Sequence, residues 1–263
     1  MLSADRILAP LLLFVSFYVA TLMVLLWVRF PFVQWTGLLS VTAATLLTVW
    51  IWERGDWQLG LFVPARLAAR ELLWGGLWGF GLIAACASLV VLFTDVWHAP
   101  GRGFPWSEML TVFIPAAVHE ELLFRGYAFQ KLHAWRRRFA IVFVALVFAG
   151  VHSGNSSVTL LGLANVFLGG VLLGLAYERY CRLWFPIGLH LAWNVTSGPI
   201  LGHEVSGFEP IRSVFVEMGG GPLWLTGGEF GIEGSVLMTL VELVGIVLLT
   251  RSRPRAQSLA STS

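Results

Sequence analysis

Long apolar runs alternate with short polar connections along nearly the whole chain. Eight runs stand out: Ile7–Val28, Trp35–Trp52, Leu72–Phe93, Met109–Gln130, Phe139–His152, Val158–Tyr177, Leu183–Ile200 and Ser235–Thr250. Most approach the ~20 residues that a helix needs to cross a bilayer core. A membrane barrel would instead show ~10-residue segments of alternating polarity, and none is visible. Helices also satisfy their own backbone hydrogen bonds in lipid. The pattern therefore predicts an all-α, polytopic membrane helical bundle of about eight transmembrane helices. The first run is too long for the apolar core of a signal peptide and is followed by no small-residue cleavage site, so it reads as a retained helix.

Composition sharpens this picture. Of 263 residues, 57% are hydrophobic and only 12% are charged, against about 25% charged in an average soluble domain. The net charge of +2 says little, but its distribution is lopsided. Eight spans sort the loops into two sets. The N-terminus, Glu53–Glu71, Lys131–Arg138, Glu178–Arg182 and the C-terminal tail together hold thirteen basic residues. The opposite set holds three, Arg29, Arg102 and Arg212. The positive-inside rule then places both termini in the cytoplasm. We expect one integral-membrane domain over residues 1–252 and a basic, disordered cytoplasmic tail over 253–263. The Gly- and Glu-rich segment Leu201–Gly234 falls on the outer side, either as an ordered, turn-rich loop dipping toward the bundle or as a flexible one. Small residues spaced four apart, in Gly75–Gly79 and in Gly169–Gly174, predict close helix contacts. No internal repeat of the transporter kind is present.

The polar positions inside the spans carry the chemistry. Charges at mid-span are costly and by default mark function. Glu121 and Arg125, four apart, share a face and can pair. Glu120 points about 100° away, which leaves its carboxylate free. Phe148 and His152 are four apart, as are His190 and Asn194. Counting 1.5 Å of rise per residue brings Glu120, His152, Asn165, His190 and Asn194 to a slab about 10 Å thick near mid-membrane. Two imidazoles, a carboxylate and an amide suit a divalent cation, zinc first, held by Glu120, His152, His190 and Asn194. A carboxylate acting with an imidazole can equally activate water, and Asn194 can donate to an oxyanion. Any one of these features has a plainer reading, because a Glu–Arg pair can be a helix clamp and a lone histidine a packed one. Their convergence favours catalysis. His119 reads as a packing residue, and His98, His133 and His203 as solvated loop residues. Cys86 and Cys181 have no partner spacing for a disulfide or a metal.

The ordered set Glu120-Glu121-x-x-x-Arg125, Phe148-x-x-x-His152 and His190-x-x-x-Asn194 resembles the CAAX-processing and bacteriocin-processing intramembrane peptidases, the CPBP or ABI family. The resemblance covers roughly residues 110–198. It implies an eight-helix membrane endopeptidase, a CAAX prenyl protease-like metallopeptidase of a bacterial-type cytoplasmic (inner) membrane. Its catalytic positions would be Glu120, Glu121, Arg125, His152, His190 and Asn194. Glu120 would be the water-activating carboxylate, with Glu121 and Arg125 as the supporting pair, and zinc or a metal-free Glu/His pair would complete the site. The expected partners are a peptide or membrane-protein substrate and the lipid bilayer, with no nucleic acid. The alternative is a non-catalytic membrane scaffold or an immunity protein that binds a peptide or protein partner.

Overall fold

The computed structural model describes residues 5–55, 57, 59–210 and 212–251. The tail expected over 253–263 lies outside them. The described chain is a helical membrane bundle of nine principal helices: α1 (Asp5–Trp27), α2 (Val33–Ile51), α3 (Ala65–Phe93), α4 (Ile114–Arg125), α5 (Tyr127–Trp135), α6 (Arg137–His152), α7 (Leu160–Tyr180), α8 (Trp184–Val195) and α9 (Val236–Arg251). Among the described residues, α1, α2, α3 and α7 are long and apolar enough to cross a membrane by themselves.

The expected continuous span Met109–Gln130 is broken. A short α turn (Trp106–Glu108) and a π turn (Met109–Phe113) lead into α4, which stops at Gly126 before α5 begins in a new direction. The backbone fold at Gly126 would bring a Cβ to 2.0 Å from the Leu122 carbonyl oxygen, so glycine is required there. A second π turn, Thr196–Ile200, extends α8. Pro115 and Pro199 fall beside or within these π turns. Each lacks a backbone N–H, and a widened turn accommodates the missing bond.

Glycines set the closest helix contacts, as their spacing predicts. A Cβ on Gly75 would lie 2.0 Å from the Phe185 carbonyl oxygen, and one on Gly79 would lie 2.1 Å from that of Leu189. From the other side, a Cβ on Gly188 would meet the Leu72 carbonyl at 2.2 Å. The backbones of α3 and α8 therefore touch directly. Gly170 and Gly174 similarly admit Ala145 and Ile141, packing α7 on α6.

The connections gather at two opposite ends. At one end, Lys131 pairs with Glu53 at 2.6 Å, and Tyr127 donates to the same carboxylate. Arg182 Nε donates to the buried Glu71 at 2.8 Å, while His133 and Arg137 both bond Glu178. At the other end, β1 (Trp97–Pro100) pairs antiparallel with β2 (Phe215–Met218), placing His98 opposite Glu217. This two-stranded ribbon was not anticipated. Its strands are only four residues long and carry no alternation, and the pairing satisfies backbone groups that the helices leave free. Asn155 donates to the Ser206 carbonyl and Ser157 to Glu229, tying 201–210 and 212–234 down as a cap.

Candidate active site

α4 presents two adjacent carboxylates to two different environments. Glu121 and Arg125 are fully buried, and Arg125 Nη1 donates to Glu121 Oε1 at 3.1 Å. Arg125 Nη2 donates across to the Gly170 carbonyl at 3.1 Å, and its guanidinium lies 4.9 Å from the centre of the Phe148 ring. The pair is thus fastened to α6 and α7 together. Glu120 faces the other way, 25% exposed, into a cavity of about 630 Å³.

His190 on α8 connects the two carboxylates. Its Nδ1–H donates to Glu121 Oε1 at 2.8 Å, and its Nε2 stands 3.7 Å from Glu120 Oε2. The buried carboxylate fixes the tautomer and aims the opposite nitrogen at the exposed one. His152 is aimed in the same manner: Nδ1–H donates to the Phe148 carbonyl at 2.7 Å, leaving Nε2 free. Phe148 therefore serves twice, flanking Arg125 with its ring and orienting His152 with its backbone. Glu120, His152, His190 and Asn194 all line the cavity, so the structure brings the expected residues together on three helices.

Other polar residues take structural roles. The Asn165 amide donates to the carbonyls of Glu233 and Ser235 at 2.7 and 2.8 Å, and its oxygen accepts from Thr239 at 2.6 Å. It anchors the cap to α7 and α9. His119 is packed, as expected, bonded to the Tyr18 hydroxyl at 3.0 Å and set against Gly37. The reading of three solvated histidines needs correction. His203 is buried, bonded to Glu217 and 3.3 Å from His98 Nε2, while His133 bonds Glu178 at 2.8 Å. Loop position suggested solvent, but the loops fold back on one another. Burial and the adjacent His203 hold the His98 imidazole below its ordinary pKa.

Two acidic residues of the cavity escaped the sequence reading. Glu233 accepts from Trp193 Nε1 at 2.6 Å and from the Ser206 amide and hydroxyl at 2.6 Å. Glu242, on α9, lines the same cavity. Its signal was the one that singled out Glu120, a carboxylate inside an apolar run.

Both imidazoles present a free Nε2 behind a bonded Nδ1, the arrangement that metal-ligating histidines need. Among the described residues, no three His, Cys, Asp or Glu side chains stand at metal-ligand spacing.

Part of the chain is similar to known proteins. Residues 101–196 match the family model described as type II CAAX prenyl endopeptidase Rce1-like. An uncharacterized 24.3 kDa protein of Escherichia coli is 35% identical over 86 residues, which span 32% of this chain and 39% of that protein. The Rce1-like stretch agrees with the resemblance read over 110–198 and contains Glu120, Glu121, Arg125, His152, His190 and Asn194. It excludes α1 to α3, the cap and α9, and with them Glu233 and Glu242.

Proposed function

We propose that this protein is an intramembrane endopeptidase, hydrolysing a peptide bond of a membrane-embedded or membrane-adjacent substrate. The observation that carries this reading is His190 suspended between a buried, Arg-paired Glu121 and a cavity-facing Glu120. Glu120 accepts a proton from water as the water oxygen bonds the scissile carbonyl carbon, with His190 Nε2 alongside. The Asn194 amide donates to the resulting oxyanion, while the free His152 Nε2 accepts a hydrogen bond from the attacking water. The proton passes from Glu120 to the leaving amine as the C–N bond breaks. The Glu121–Arg125 pair does not react; it fixes the His190 tautomer and screens one carboxylate from the other.

The donor types, though not their spacing in this structure, also suit zinc. His152, His190, Glu120 and Asn194 would hold it, and bound zinc would polarise the scissile carbonyl. Stoichiometric zinc in protein purified without added metal or chelator, lost in a His152→Ala/His190→Ala double variant, is the expected result. Full activity of metal-free protein would leave the Glu120–His190 pair as the sole activating unit.

The same proposal includes eight crossings, with both termini on the arginine-rich face and that face in the cytoplasm of an inner membrane. They would place the cavity below the cap formed by 201–210 and 212–234. The deciding test is Glu120→Gln in proteoliposomes holding quenched hydrophobic peptides. Cleavage should fall at least ~100-fold, within the range expected for loss of a general base, with unchanged thermal unfolding. Retained cleavage would remove Glu120 from the mechanism and leave the scaffold reading.

A further inference from the structure

A second carboxylate faces the same cavity from a helix that the proposed chemistry does not use. Glu242 lies on α9, six residues in from Val236, and is 1% exposed. It lines the cavity, yet its Oε2 has no hydrogen-bond partner. A buried carboxylate without a partner is costly, and each such group calls for an explanation. The neighbouring Glu233 needs none, since Trp193 and Ser206 satisfy both of its oxygens.

The surroundings show what would satisfy Glu242. Among the described residues, three carboxylates line the cavity, Glu120, Glu233 and Glu242, and no lysine or arginine does. Val166, Leu172, Leu173 and Leu189 give this cavity an apolar stretch of wall, beside the polar Asn165, Trp193 and Glu233. Gly169 on α7 leaves the carboxylate its space: a Cβ there would stand 3.2 Å from Glu242 Oε1. The result is an apolar slot with an unmatched acceptor at its wall. A long aliphatic stem ending in a cation fits both parts, the stem against the leucines and the charge against the Glu242 carboxylate.

We propose that Glu242 and Gly169 form a specificity subsite for a basic side chain, lysine or arginine, of the peptide substrate. This rests on the peptidase reading and adds a selectivity which that reading does not require. Glu242 lies outside the Rce1-like stretch and Gly169 within it, so α9 contributes the acidic half of the subsite and α7 the space for it.

The test uses apolar decapeptides in which one lysine, or an uncharged norleucine of similar length, is walked through every position. Binding is read by fluorescence anisotropy on full-length Glu120→Gln protein, and cleavage on the wild type. One position should favour lysine over norleucine at least tenfold in both assays. Adding Glu242→Gln should collapse that ratio to near one, and Gly169→Ala should weaken it. Equal binding of lysine and norleucine peptides at all positions, or no binding of either, would overturn the subsite. So would a lysine preference that survives Glu242→Gln. Selective binding without wild-type cleavage would uphold the subsite while sinking the peptidase reading; cleavage without selectivity would do the reverse.

Discussion

At the scale of single residues, two adjacent glutamates on α4 differ because one helical step of about 100° separates their surroundings. Glu121 is buried against Arg125 and His190, and Glu120 opens on the cavity. Their removal should therefore fail in different ways. Glu121→Ala would strand the fully buried Arg125 and free the His190 ring. A loss of about 3–5 kcal/mol is expected when one partner of a buried pair is removed, measurable as a lowered unfolding midpoint in detergent. Glu120→Gln should leave that midpoint unchanged. Equal destabilisation by the two would mean that Glu120 also carries the fold. The spacing of Glu121 and Arg125 made this division legible in the sequence. The partners across helices were not, because spacing within one helix is silent on what another helix brings. Gly170 and Phe148 became part of the Arg125 site only through packing. His203 was missed for the same reason: its burial depends on β1, more than a hundred residues away in the chain.

At the scale of elements, apolar run length located the helices well and their interruptions poorly. The break at Gly126 lies inside a run that reads as uninterrupted, since hydropathy reports solvent preference and not backbone direction. The glycine pattern was more informative. Gly75 and Gly79 were expected to bring helices close, and both face α8 carbonyls at distances no Cβ could share. Because α8 carries His190 and Asn194, this contact fixes the depth of half the site. Gly79→Ala should push α8 away from α3, costing about 1–3 kcal/mol as overpacking. It should lower cleavage further than stability alone explains, because small displacements of catalytic groups are expensive. Gly81→Ala, on the same helix with open space at its Cβ, is the control and should change neither. A Gly79→Ala protein with native activity would show that α8 is positioned by other contacts. The same face of the bundle offers a second check. Arg182→Ala would leave the Glu71 carboxylate buried beneath the α3–α8 pair, with an expected loss of about 3 kcal/mol.

At the scale of the molecule, the two ends differ in kind. One is knit by ion pairs among the loops richest in arginine and lysine, the other by a ribbon and a cap that reach the cavity through Glu233 and Asn165. Combined with the positive-inside rule, this grouping predicts that the arginine-rich end faces the cytoplasm. A cysteine placed at Gly103 should react with a membrane-impermeant maleimide from outside intact cells, and one at Arg136 only after the membrane is opened. The reverse would invert the protein. An outward cap would meet changing pH, and its His98–His203 contact gives it a response of known sign. His98 sits opposite Glu217 in the ribbon, beside His203, and its pKa is held below the ordinary 6.5. Folded protein then binds fewer protons than unfolded protein as pH falls below 6.5, so cap stability declines from there down to the depressed value. Above 6.5 both states are neutral at this residue, and no dependence on His98 remains. Glu204, raised above its ordinary value by burial, acts in the opposite sense, gaining stability as its proton binds. Hydrogen exchange at the Ala99 and Val216 amides should therefore quicken, relative to the helices, as pH is lowered through 6.5, after correction for intrinsic exchange rates. That acceleration should vanish in His98→Asn. If it persists in that variant, the response belongs to another group, and the two facing imidazoles are only a packing contact.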